Sequence, residues 1–189
     1  MRMNWKMITL LGSTMLFNGN AAFAQENFGL WLVNFKRTKE IRPVTETGYQ
    51  SECGDCHYAY PPGLLPARSW DKLLNAEALR NHFGSNAEIE ADKLKVIHDY
   101  AVEYAADKSW YKRSRKIAAT TSPDETPLRI TELKYISRVH KVIPDKMVKD
   151  NPAVKSLSFC DKCHTQASKG VFDNDTVQIP NFTDWGNQK

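Results

Sequence analysis

Where apolar and polar positions along this chain follow a period, the period is helical. From Trp70 to Asp107 the spacing predicts two helices. Ser69 reads as an N-cap ahead of Trp70, Leu73 and Leu74, and Gly84 after Phe83 reads as a helix stop. Ser85 and Glu88 have capping-box spacing and open the second helix, whose apolar stripe is Leu94, Ile97, Ala101, Tyr104 and Ala105. A third helix is predicted over about Glu132 to Ile143, with Leu133, Ile136, His140 and Ile143 on one face and Pro144 as its end. No stretch shows the sustained alternation of a sheet. Residues 118–127, AATTSPDETP, are small and polar with two prolines, and read as a linker between an N-terminal lobe, 25–117, and a C-terminal lobe, 128–189.

The first 24 residues have a different pattern. Arg2 and Lys6 precede the apolar run MITLLGSTMLF, and Ala22-Phe23-Ala24 has the form cut by signal peptidase. The run is too short for a bilayer, which takes about 20 apolar residues. The expectation is a cleavable signal peptide, a chain that starts at Gln25, and a periplasmic protein that is not embedded in the membrane. Losing Arg2 and Lys6 removes two of the formal charge of +4. So near-neutral a chain gives no reason to expect a nucleic-acid partner.

The chain has four cysteines, in two units of one form: Cys53-x-x-Cys56-His57 and Cys160-x-x-Cys163-His164. A redox dithiol needs only an activated thiolate, and a zinc site needs four ligands at closer spacing. Here roughly a hundred residues separate the pairs, against about 15–20 in zinc ribbons. Covalent c-type haem alone requires His directly after each pair, because the thiols form thioethers with the porphyrin and the His ligates iron. Haem attachment also suits an exported chain, since four free thiols would be a liability in an oxidising compartment. The expected fold is therefore mainly α: a two-lobed c-type cytochrome whose helices and long loops pack around two haems, with little or no sheet.

The opposite axial ligand decides what such irons can do. Four of the five methionines precede Gln25, which leaves Met147. The remaining histidines are His82, His98 and His140. His140 lies within the apolar stripe of the third helix, which makes it a strong candidate, with Met147 as its competitor. His82 and His98 compete for the other iron. His98 is only about 60° from the centre of its helix's stripe, so periodicity leaves both open.

The segments CGDCHYAYPPGLLPARSW (53–70), HFG (82–84), AAD (105–107), PLRIT (127–131) and CDKCHTQASKGVF…IP (160–180) resemble the bacterial dihaem cytochrome c family. The resemblance covers most of residues 50–180. It implies bis-histidine ligation of both haems, with His82 and His140 as distal ligands and pairings of His57 with His82 and His140 with His164. It also implies an electron carrier between redox proteins, with a membrane cytochrome b as donor and a small soluble haem protein as acceptor. The competing class is a small haem enzyme, a peroxidase or nitrogen-oxide reductase, which needs a displaceable axial ligand and nearby acid–base groups. Three histidines for two distal positions favour the carrier.

Two further features remain. Arg68, near Tyr58 and Tyr60, is either a propionate partner or a surface residue. Lys108, Lys112, Arg113, Arg115 and Lys116 form a cluster without acids. It is either a docking site for an acidic partner or a solvated helix end, and the second reading is preferred.

Overall fold

In the computed structural model, residues 39–188 are described, and they lie within one unit, Thr38–Lys189. The expected signal peptide and the start at Gln25 fall outside the described residues. Among the described residues six α-helices follow in order: α1 Thr47–Gly54, α2 Ala67–Leu73, α3 Ala76–Arg80, α4 Ala91–Glu103, α5 Lys112–Thr120 and α6 Lys134–His140. Short 3-10 turns, including Pro62–Leu64, Ile130–Glu132 and Cys160–Lys162, join them. There is no strand or sheet among the described residues, only two isolated bridges, His82 with Ser85 and His164 with Val177. The helical, sheet-poor expectation holds.

Each helix is short, so tertiary burial rather than propensity sustains it. The capping side chains are Glu46, which accepts from the Tyr49 amide at the start of α1, and Asn75, which accepts from the Ala78 amide at 3.0 Å at the start of α3. The helix expected from Ser69 begins earlier, at Ala67. Pro66 leads into it, and the free Ala67 amide is held by Asp107 Oδ1 at 2.9 Å. Ser69 is buried inside α2 rather than capping it. The capping box expected at Ser85 and Glu88 does not form, because Asn86 Oδ1 takes the Glu88 amide at 3.0 Å and the helix waits until Ala91.

A larger core gathers Tyr49, Trp70, Ile97, Tyr100 and Ile117 with Ile130, Leu133, Tyr135 and Phe172, and so draws on both sides of segment 118–127. The aromatic residues carry their polar tips to backbone groups. Trp70 Nε1–H donates to the Pro62 carbonyl at 2.9 Å, Tyr49 O–H to the Tyr60 carbonyl at 2.7 Å, and the Thr45 amide donates to Tyr100 Oη at 3.0 Å. A smaller cluster of Met147, Val148, Val154 and Ile179 lies in the C-terminal part. Helix α5 runs through Thr120, and the irregular residues after it are clamped by Arg68. Its Nε–H donates to the Glu125 carbonyl at 2.6 Å and its Nη2–H to that of Ser122 at 2.8 Å. Arg68 therefore ties a loop to α2.

Candidate haem sites

Two histidine pairs face each other. His57 and His82 have ring centroids 6.4 Å apart with planes at 26°, and His140 and His164 lie 6.1 Å apart at 77°. A metal held between two imidazole nitrogens, with bonds of about 2 Å and about 1.1 Å from each nitrogen to its ring centroid, would need centroids about 6.2 Å apart. Both pairs have that separation.

Local structure places each ring. His57 comes three residues after the end of α1, which carries Cys53. Its Nδ1–H donates to the Tyr58 carbonyl at 2.8 Å. His140 closes α6, and its Nδ1–H donates to the Ile136 carbonyl at 2.8 Å. A carbonyl only accepts, so in both rings the proton sits on Nδ1 and the Nε2 lone pair is left for a metal. Burial pushes the pKa of His164 down to about 4, with His140 and Arg113 adding to the effect. Burial also lowers that of His82, helped by His57 and Arg129. Both rings are thus held neutral at pH 7, the form that ligates.

His82 is set by a turn that the sequence does not reveal. Phe83 and Gly84 both have positive φ, 54° and 95°. The His82 amide donates to the Ser85 carbonyl at 2.8 Å and the Ser85 amide returns to His82 at 3.1 Å. This has the form of a two-residue hairpin turn with left-handed central residues. Gly84 therefore serves this turn and does not stop a helix, since α3 has already ended at Arg80. Phe83 bears the strain of a left-handed non-glycine residue and is held from both sides, by the Arg129 guanidinium 4.0 Å over its ring and by the His82 ring at 4.7 Å.

His98 lies elsewhere. Its Nε2 is 2.9 Å from Asp71 Oδ1 and its Nδ1 is 3.3 Å from Asp99 Oδ1, so both ring nitrogens are engaged at the surface of α4. Met147 is buried in the smaller cluster and is not among the residues lining the cavity at the second histidine pair.

That cavity has a volume of about 540 Å³, within the range of roughly 300–1,000 Å³ usual for cofactor pockets. Its walls are largely apolar, with Ile130, Ile136, Val154, Phe172 and Ile179, and Cys160, Cys163, His140 and His164 meet in it. Lys112, Arg113 and Lys116 of α5 form a cationic part of the lining. Much of the basic cluster therefore borders a site. Arg113 also braces the fold around it. It pairs with Glu40 at 2.8 Å, donates to Tyr135 Oη at 2.7 Å and bonds the Phe172 carbonyl.

None of the four cysteines is in a disulfide. Burial, reinforced by Glu52 and Glu46, pushes Cys53 up to about 12. Burial with Asp161 does the same for Cys160. Neither is the activated thiolate that dithiol redox chemistry needs. Among the described residues no group of three or more His, Cys, Asp or Glu converges as a metal cluster. Tyr58 Oη, a buried polar atom beside the first motif, has no hydrogen-bond partner among the described residues, as expected where a bound group completes the surroundings. The residues present fit haem.

A small helical fold with two Cys-x-x-Cys-His units, each beside a facing histidine pair, defines a c-type cytochrome with two haem sites. Residues 49–172 match the family model for dihaem cytochrome c, and the chain belongs to that family, whose members carry two c-type haems with iron. Among solved structures, it is 40% identical to a diheme cytochrome type c from Shewanella baltica OS155, over 73% of this chain and 95% of that one, with a TM-score of 0.59. It is 38% identical to a diheme cytochrome c from Rhodobacter sphaeroides, over 69% of this chain and 98% of that one, with a TM-score of 0.61. A search of curated proteins finds no match.

Proposed function

We propose that the protein is a periplasmic electron carrier, exported by its cleavable signal peptide, and that it relays electrons through two bis-histidine haems without catalysing a reaction of its own. Cys53 and Cys56 would bind one haem, with His57 and His82 on its iron. Cys160 and Cys163 would bind the other, with His140 and His164. Each haem would then draw its ligands from one half of the chain, 25–117 or 128–189, joined through 118–127. The haems supply a one-electron iron couple.

The protein's own part is to hold two neutral imidazoles on each iron, keep the second porphyrin in an apolar cavity, and offer cations to its propionates. Lys112 and Lys116 line that cavity and would supply the charge for those carboxylates. The observation that carries the reading is the separation of the two histidine pairs, 6.4 and 6.1 Å. A pair at that spacing leaves no coordination position open for a substrate. Bis-histidine ligation also favours potentials below those of a His/Met cytochrome. The proposed partners are redox proteins: a membrane cytochrome b as donor and a small soluble haem protein as acceptor. No helix among the described residues is long and apolar enough to cross a membrane.

Absorption spectra of the reduced protein with and without carbon monoxide test this directly. Unchanged spectra and two reversible one-electron steps in a redox titration are expected. Carbon monoxide binding to the unmodified protein, or steady turnover of peroxide or nitrite, would move it to the enzyme class.

A further inference from the structure

The loop after the first Cys-x-x-Cys-His unit makes direct contact with the approach to the second. Tyr60 stacks on His57, with ring centroids 4.9 Å apart and planes at 27°. At its other end, Tyr60 O–H donates to the Ser158 carbonyl at 2.6 Å, a bond that spans 98 positions of sequence. Ser158 stands two residues before Cys160. One side chain therefore touches the proximal imidazole of one site and the backbone leading into the thiol pair of the other.

The surroundings make this span rigid. The Tyr60 carbonyl accepts from Tyr49 O–H at 2.7 Å, and the buried Pro61 and Pro62 follow it with restricted backbones. Tyr58 meets the Tyr60 ring edge-on at 5.9 Å. Tyr58, Tyr60 and Cys160 all pack against the larger core. A surface tyrosine would gain nothing from so many restraints.

Resting on the dihaem reading above, we propose that Tyr60 is the coupling residue between the two haem sites: through its stack on His57 and its hydrogen bond to Ser158 it sets their relative placement and carries part of their electronic contact. The route from His57 to Cys160 has one through-space step at the ring stack and one hydrogen bond, and the rest is covalent. In the exchange itself one electron leaves a ferrous iron at the first site and reduces a ferric iron at the second. No bond forms or breaks, and Tyr60 keeps its proton and is not oxidised. It is a positioning residue.

The test uses the exported holoprotein and two variants, Tyr60→Phe and Tyr60→Leu. Phe keeps the stack and loses the bond to Ser158, whereas Leu loses both. Exchange NMR of half-reduced samples reads the rate at which the electron passes between the haems, and a redox titration reads the spacing of the two midpoints. The rate is expected to fall severalfold in Tyr60→Phe and tenfold or more in Tyr60→Leu, with a changed midpoint spacing. A purely structural tyrosine would change stability alone. Rates and spacing within twofold of the parent, with both haems attached and low-spin, would overturn the proposal. If Tyr60→Leu does not accumulate, Tyr60→Phe decides alone. An unmodified protein with fewer than two haems by mass, or one that binds carbon monoxide, would instead overturn the underlying reading.

Discussion

The rings of His140 and His164 stand nearly perpendicular, at 77°, whereas those of His57 and His82 are closer to parallel, at 26°. On a low-spin ferric iron this difference acts on the d orbitals. Parallel imidazoles press on the same π-type orbital and split the pair. Perpendicular ones act on one orbital each, and the splitting largely cancels. The oxidised protein is therefore expected to give two distinct EPR signals at liquid-helium temperature: a rhombic set from the first site and a broad, strongly axial feature at high g from the second. His140→Ala should remove the high-g feature and leave the rhombic one. Two identical rhombic sets would contradict the ring geometry.

His82 and His98 can be separated by replacement. His82 faces His57 from its hairpin turn, while His98 on α4 is tied to Asp71 of α2 and to its neighbour Asp99. His82→Ala should turn one haem high-spin and let it bind carbon monoxide, with the other haem unaffected. His98→Ala should leave both haems low-spin, and it should change stability little, as is usual for an exposed polar pair. The reverse pattern in the optical spectra would assign the ligand to His98.

How legible each feature was depends on its physical range. The two Cys-x-x-Cys-His units could be read because thioether attachment and iron ligation dictate residue types within five consecutive positions. The lack of sheet could be read because strands need an alternating period that this chain never sustains. His140 was visible because its neighbours in the stripe reveal the face it occupies. Periodicity could not place His82, which only the resemblance through HFG named, since a left-handed Phe83 is the kind of strained conformation that propensity disfavours and tertiary contacts must hold. Arg113 and Tyr60 were hidden for another reason. Their partners, Glu40 and Ser158, lie 73 and 98 positions away, and no local pattern announces such pairs.

Arg113 and Glu40 form an ion pair with side chains only 17% and 10% exposed. The same guanidinium also serves Tyr135 Oη and the Phe172 carbonyl. Arg113→Ala leaves a carboxylate, a hydroxyl and a carbonyl short of a donor in a poorly solvated place, and breaking such a pair costs about 3 kcal/mol. Arg113→Lys should recover only part of this, because one ammonium cannot reproduce the planar fork that reaches three partners. Urea unfolding of the holoproteins, followed by circular dichroism, checks the order: parent, then Lys, then Ala. An Ala variant as stable as the parent would show that the network contributes nothing.

Gly170 and Gly84 should respond differently to the same methyl group. Both have left-handed backbones, at φ 77° and 95°, so alanine at either position bears the conformational cost of about 1–2 kcal/mol. At Gly84 nothing lies within 4 Å of an added Cβ, and that cost should be the whole effect. At Gly170 the Cβ would sit 2.2 Å from the Ile41 carbonyl oxygen and 3.2 Å from the Pro43 ring. Neither neighbour is the end of a flexible side chain, so the backbone must move. That movement would pull on the amides of Glu40 and Ile41, which donate to the Gly170 carbonyl at 2.8 and 3.1 Å, and through Glu40 on Arg113. Val171 and Phe172 follow directly, and Phe172 packs 5.1 Å from His164. Gly170→Ala is therefore expected to lose clearly more stability than Gly84→Ala and to broaden the EPR feature of the second haem. Gly84→Ala should affect only the first. Equal losses in urea unfolding, or a disturbance confined to the first haem in both variants, would show that Gly170 does not brace the second site.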